Sequence, residues 1–96
     1  MPQEFLSVAI WEALPGKEAA SLESLRELGT LIARKNYGRD LLYRSSESHY
    51  ILLRYWNSEE ARRAAMEDPE LLRCWAKLGN EIRTLKVYER LATVSV

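Results

Sequence analysis

His49 is the side chain of this 96-residue sequence best suited to exchanging a proton near neutral pH, and it is the one histidine present. An imidazole has an unperturbed pKa of about 6.5, so it can act as a general base under physiological conditions. His49 is therefore the candidate catalytic base. The alternative is a solvated polar residue at the start of a strand, because His49 directly follows the polar run Ser45–Ser48.

Aromatic side chains could hold a planar ligand beside such a base. Trp11, Trp56 and Trp75 offer rings for stacking, and Tyr50 offers a hydroxyl donor. Asn57, directly after Trp56, could orient a ligand carbonyl. The alternatives are core packing or dimer contacts for the aromatic residues and helix capping for Asn57.

Arg54 lies inside the otherwise apolar segment Tyr50–Trp56. A buried guanidinium needs a partner, which could be an anionic group of a ligand or an acid of the chain. The candidate acids are Asp40, Glu81 and Glu89.

The composition excludes several other functions. Fourteen basic and fourteen acidic side chains cancel, so the sequence offers no electrostatic footprint for nucleic acid or an anionic membrane. With one cysteine, Cys74, and one histidine, neither an internal disulfide nor a His/Cys zinc site can form within one chain. No apolar run is long enough to span a membrane, and the N-terminal segment resembles no signal peptide, so we expect a cytoplasmic protein without metal or cofactor.

The periodicity of the apolar residues predicts the order β-α-β-β-α-β in a single domain spanning residues 1–96. This is the ferredoxin-like α+β arrangement, with one antiparallel sheet and two helices on one face. Ser58 is the expected cap of the second helix, and Asp68-Pro69 is expected to interrupt and restart it. The predicted strands are residues 5–13, 39–44, 49–56 and 81–91, with a β-prone tail at 92–96, and the first helix is residues 19–35.

Several of the predicted strands are apolar on both faces, whereas the helices can cover only one face of the sheet. We therefore expect two copies to pack sheet against sheet as a homodimer. On the first strand the small residues Ser7 and Ala9 lie between Phe5 and Trp11, which favours a cavity if small helix residues face them. The alternative is close packing of helix on sheet. The small helix residues are Ala61, Ala64 and Ala65.

The step from the third strand to the second helix reads Trp56-Asn57-Ser58-Glu59-Glu60-Ala61, followed by Asp68-Pro69-Glu70 and an aromatic residue at Trp75. This stretch resembles the antibiotic biosynthesis monooxygenase domain family, whose members are dimeric α/β-barrel proteins. The family contains cofactor-free oxygenases of polycyclic phenols or quinols and haem-degrading enzymes. The haem-degrading branch would place Asn, Trp and His at positions that here hold Ala9, Ala65 and Trp75, so haem degradation is not expected.

The resemblance implies a cofactor-independent monooxygenase of an aromatic phenol or quinol, if the protein is an enzyme. The alternative is a non-catalytic dimer that binds a small hydrophobic molecule or is purely structural. In a monooxygenase of this kind His49 would be the base. The residues that line the pocket would be Tyr50, Arg54, Trp56, Asn57, Trp75 and Trp11.

Overall fold

The computed structural model describes residues 3–96 and has the predicted α+β, ferredoxin-like architecture. The antiparallel sheet has the order β2-β3-β1-β4. No helix within residues 3–96 is long and apolar enough to cross a membrane. The elements are β1 (Phe5–Ala13), α1 (Glu18–Arg34), β2 (Gly38–Arg44), β3 (Tyr50–Trp56), α2 (Glu59–Met66), α3 (Pro69–Gly79) and β4 (Ile82–Leu91).

The interruption expected in the second helical region divides it into α2 and α3. The Ser58 hydroxyl accepts a hydrogen bond of 3.0 Å from the backbone N–H of Ala61, which satisfies a free donor at the start of α2. The Asp68 carboxylate accepts a bond of 2.9 Å from the N–H of Glu70, and Pro69 occupies the first turn of α3, where no N–H is needed. Both predicted capping residues therefore act as caps.

The helices cover one face of the sheet, and the core lies between them. Trp11, Tyr50 and Trp56 point into this core and are at most 4 % exposed. Leu52 alternates with half-buried Leu53 on β3, in accordance with the side-chain period of two in a strand.

The opposite face, which we call the open face, is apolar and uncovered in the single chain. It carries half-buried Leu6, Val8 and Ile10 from β1 and Ile51, Leu53 and Tyr55 from β3, and at its margins Leu41, Tyr43, Tyr88 and Leu91 are 40 to 55 % exposed. The expectation of strands that are apolar on both faces is confirmed.

Side chains do not alternate regularly between the two faces along β4, because the pairing of β4 with β1 shifts register twice. Ala9 lies opposite Val87, and Trp11 lies opposite Thr84. Val87 and Thr84 therefore both lie on the helix-covered face, although they are three positions apart and a regular strand would place them on opposite faces. The tail 92–96 leaves the sheet and does not prolong β4.

Candidate functional site

A cavity of about 170 Å³ lies between the sheet and the short helices α2 and α3, and we call it the chamber. For comparison, an engineered apolar cavity of about 150 Å³ binds benzene, so the chamber has room for a small aromatic molecule. The residues that line it are Ser7, Val8, Ala9, Leu52, Arg54, Trp56, Arg62, Met66, Trp75, Val87 and Glu89.

Of the two alternatives left open for the small residues of β1, a cavity or close packing, the structure has the cavity, although its roof differs from the expected one. Ser7 and Ala9 line the chamber as expected. Ala65 is fully buried, whereas Ala64 faces the solvent. The residues of α2 that line the chamber are Arg62 and Met66.

The Trp56 indole is fixed as a wall of the chamber by Ser7. Its Nε1 donates a hydrogen bond of 3.0 Å to the Ser7 hydroxyl, and that hydroxyl donates to the backbone carbonyl of Glu89. This chain of bonds joins β3, β1 and β4. It satisfies the indole N–H of a side chain that is 2 % exposed.

Arg54 has the internal acidic partner that its burial requires. Asp40 lies directly opposite it in the β2–β3 register, and its carboxylate accepts bonds of 2.7 Å from Nε and 2.8 Å from Nη2. A β-carbon on Gly29 of α1 would lie 3.3 Å from an Asp40 oxygen, so this glycine allows the close approach of α1. The Nη1 group of Arg54 makes no hydrogen bond to the described residues, and the Arg54 residue lines the chamber.

Trp11 and Tyr50 do not line the chamber. Their rings stack on each other with centroids 4.4 Å apart and planes inclined by 12°, in the core beside the chamber. Burial raises the pKa of the Tyr50 hydroxyl above its ordinary value. Within residues 3–96 neither the Trp11 Nε1 nor the Tyr50 hydroxyl has a hydrogen-bond partner.

His49 and Asn57 also lie outside the chamber. His49 falls on the side of the sheet opposite to Tyr50, and its Nε2 is 3.9 Å from a carboxylate oxygen of Glu12. The Asn57 side chain donates a bond of 2.8 Å to the carbonyl of Asn36 and so holds the end of β3 to the α1–β2 connection. Of the predicted site residues, the structure brings Arg54, Trp56 and Trp75 together at the chamber.

The chamber adjoins a strongly charged cleft, which we call the mouth, because the two share Arg62 and Glu89. The Glu59 carboxylate at the mouth lies 3.4 Å from the Arg62 guanidinium, 3.6 Å from that of Arg63 and 3.2 Å from that of Arg90. Arg62 was not among the predicted site residues, because only the alanines of α2 were expected to face the sheet. Glu89 was considered only as a partner of Arg54, since the register shifts of β4 hide which residues face the chamber.

A separate polar cluster positions α3, and hence Trp75, relative to α1. Lys35 donates bonds of 2.8 Å to Asp68 and 2.7 Å to Glu70, and the Tyr37 hydroxyl donates a bond of 2.8 Å to Asp68. The bonds from Lys35 and then Tyr37 lower the pKa of Asp68 from 3.8 to about 2. Bonding to Asp68 in turn raises the pKa values of Lys35 and Tyr37.

Residues 3–96 contain no group of three or more His, Cys, Asp or Glu side chains that could hold a metal ion. The residues that line the chamber supply aromatic walls, the Arg54 and Arg62 guanidinium groups, the Ser7 hydroxyl and the Glu89 carboxylate.

The α+β fold is similar to that of several solved structures, among them proteins assigned as antibiotic biosynthesis monooxygenases. No protein-family model and no curated protein sequence matches the chain. Solved structures do match it. A protein from Bacteroides thetaiotaomicron, assigned as an antibiotic biosynthesis monooxygenase, superposes with a TM-score of 0.81 at 11% identity, covering 96% of this chain and 91% of the other.

Two further solved structures extend this similarity. SnoaB, a cofactor-independent oxygenase from Streptomyces nogalater, superposes with a TM-score of 0.77 at 19% identity over 95% of this chain and 96% of SnoaB. Rv0793 from Mycobacterium tuberculosis superposes with a TM-score of 0.75 at 18% identity over 97% of this chain and 100% of Rv0793. The predicted resemblance is thus confirmed for the fold.

Proposed function

We propose that this protein is a cofactor-independent monooxygenase of a small electron-rich phenol or quinol, which binds in the chamber. The observation that carries the proposal is the chamber itself, an apolar space with the tryptophan walls Trp56 and Trp75. An apolar pocket with a few convergent polar groups is the usual form of a small-molecule site. The similarity of the fold to the cofactor-independent oxygenase SnoaB supports the proposed reaction class.

The reaction needs a base and a group that stabilises the substrate anion. Glu89 supplies the carboxylate of the chamber lining and takes the proton from the substrate. The Nη1 group of Arg54 donates to the resulting oxyanion, since Asp40 occupies only Nε and Nη2.

The electron-rich anion then reduces dioxygen by one electron, and the two radicals combine through a new carbon–oxygen bond. The peroxide takes up a proton, and its O–O bond breaks as water leaves and the ring C–H proton is lost. One oxygen atom of dioxygen remains in the product as a carbonyl, and the other becomes water. All four electrons that reduce the two oxygen atoms come from the substrate, which leaves as the oxidised carbonyl product, so no external reductant is consumed.

The test is to incubate the protein with 1,4-naphthalenediol, a small quinol, under ¹⁸O₂ and to analyse the product by mass spectrometry. We expect 2-hydroxy-1,4-naphthoquinone, the enol form of the carbonyl product, with one labelled oxygen atom, formed faster than in buffer and at a reduced rate in Glu89→Gln. Formation at the buffer rate, or a product without label, would contradict the proposal.

A second candidate function is binding of a small aromatic molecule without turnover. It is favoured by the position of His49, because the chamber then has no imidazole to act as a base near neutral pH. The two candidates differ in one respect: a binding protein is stabilised against heat by its ligand but consumes no oxygen.

We also propose that two copies pair through the open face. Leu53 and Ile10 lie near the middle of this apolar surface, and Tyr43 at its margin is 55% exposed. An apolar sheet face of this extent is typical of an interface between copies of a chain. A dimer doubles the 11.1 kDa mass of the chain, which light scattering measures.

A further inference from the structure

The charges at the mouth do not cancel. The mouth is lined by three arginines, Arg62, Arg63 and Arg90, and by two carboxylates, those of Glu59 and Glu89. All three guanidinium groups share the single Glu59 carboxylate. Among residues 3–96 the side chains that line the mouth therefore carry one excess positive charge beside an apolar chamber, and this charge favours a ligand with a negative charge.

Arg62 is the arginine placed to use this excess, because it lines both the chamber and the mouth. Its side chain is 26% exposed, and its nearest contact with Glu59 is 3.4 Å, which is longer than the roughly 2.8 Å of a strong charge-assisted hydrogen bond. Arg54, by contrast, is held by Asp40 through two bonds of 2.7 and 2.8 Å. Arg62 is thus the chamber guanidinium that can turn to an incoming anion.

We propose that the ligand of this site is an aryl carboxylate, with its ring in the chamber and its carboxylate paired with Arg62 at the mouth. This inference rests on the proposed function only in taking the chamber as the binding site. The chamber volume of about 170 Å³ accommodates the ring, and the mouth takes the charged substituent outside it. Arg62 is accordingly a specificity-determining residue and not a catalytic base.

Calorimetric titration with 2-naphthoate and with 2-naphthamide tests the inference. The two probes have the same shape and number of non-hydrogen atoms and differ in charge, and neither needs to react. We expect the wild-type protein to bind naphthoate roughly tenfold more tightly than naphthamide, the ratio that one charge-assisted hydrogen bond supplies. This preference should weaken as salt is added.

Matched variants assign the preference to individual side chains. Arg62→Gln should bring the two affinities together, whereas Arg26→Gln should retain the preference, because Arg26 lies on α1 and lines neither the chamber nor the mouth. Glu89→Gln should have the opposite effect and tighten naphthoate binding, since it removes a negative charge beside the bound carboxylate. Circular dichroism of each variant confirms that it is folded.

Equal affinities of the wild-type protein for the two probes would overturn the inference and leave the proposed function intact. A preference that survives Arg62→Gln in the folded variant would also overturn it. If neither probe binds the wild-type protein, the chamber is not an aromatic site, and both proposals fail.

Discussion

The indole nitrogen of Trp56 donates a hydrogen bond of 3.0 Å to the hydroxyl of Ser7. Trp56 is the last residue of β3, and Ser7 lies on β1. The Ser7 hydroxyl in turn donates a hydrogen bond to the backbone carbonyl of Glu89 on β4. Three strands are thereby joined at the floor of the chamber. The bond also determines which edge of the indole a ligand would meet.

Ser7→Ala should destabilise the protein because it leaves the buried Trp56 N–H without its acceptor. Removal of one partner of a buried hydrogen bond costs about 1 to 2 kcal/mol of unfolding free energy. Urea denaturation followed by tryptophan fluorescence measures the change. Ser46→Ala, in the exposed turn between β2 and β3, is the matched control. Equal losses in the two variants would show that the bond does not contribute.

Asp40→Ala should lower the free energy of unfolding more than Ser7→Ala does. It leaves the guanidinium of Arg54, a residue that is only 8% exposed, without its acidic partner. Loss of one partner of such a pair costs about 3 kcal/mol or more. The midpoint of urea unfolding reports this loss.

The double substitution Asp40→Leu/Arg54→Met separates the cost of an unpaired charge from the cost of lost packing. It removes both charges at similar volume, so we expect it to regain most of the stability that Asp40→Ala loses. A double variant as unstable as the single one would show that the ion pair itself stabilises the sheet.

The Asp68 cluster predicts a particular dependence of stability on pH. The folded-state pKa of Asp68 is lowered from 3.8 to about 2, chiefly by the bond from Lys35. The contribution of the ionised Asp68 to the free energy of unfolding is therefore fully present above about pH 4 and is lost as the pH falls toward 2. Asp68→Asn lacks this titration but can still cap α3. Melting temperatures should thus differ between wild type and variant at pH 5 and converge near pH 2; a constant difference would contradict the assignment.

Pairing through the open face predicts that Leu53→Arg gives a monomer. The new charge would lie within an apolar interface without a partner, which disfavours association. Light scattering after size exclusion measures the mass, for which the single chain gives 11.1 kDa. Glu23→Arg, on the exposed side of α1, is the control and should remain dimeric. A monomeric wild-type protein would end this proposal.

The sequence predicted the order of elements and most of their ends because these depend on neighbouring residues. Ser58 and Asp68 begin their helices through bonds to the next few residues, so the local pattern suffices. The sequence left three candidate acids as the partner of Arg54, namely Asp40, Glu81 and Glu89. Asp40 is the partner because the register of β2 against β3 places it opposite Arg54. That register is a property of the folded hairpin and is not encoded in the position of any one residue.

The candidate site was predicted less completely than the fold. Alternation along β3 already separated His49 from Trp56, and the structure places His49 away from the chamber. Glu89 could not be placed by alternation, since two register shifts in β4 intervene. The sequence does not identify Arg62 as a site residue, because a charged residue on a helix usually faces the solvent. Its position at the chamber depends on how α2 lies over the sheet.

Oxygen uptake with 1,4-naphthalenediol by the wild-type protein and the variants Glu89→Gln and His49→Ala tests most directly whether the chamber is the site of an oxygenase. We expect the wild type to consume oxygen faster than buffer, Glu89→Gln to lose most of this rate, and His49→Ala to retain it. The reason is that Glu89 lines the chamber and His49 does not. Uptake by the wild type at the buffer rate, or a loss in His49→Ala with none in Glu89→Gln, would contradict the account.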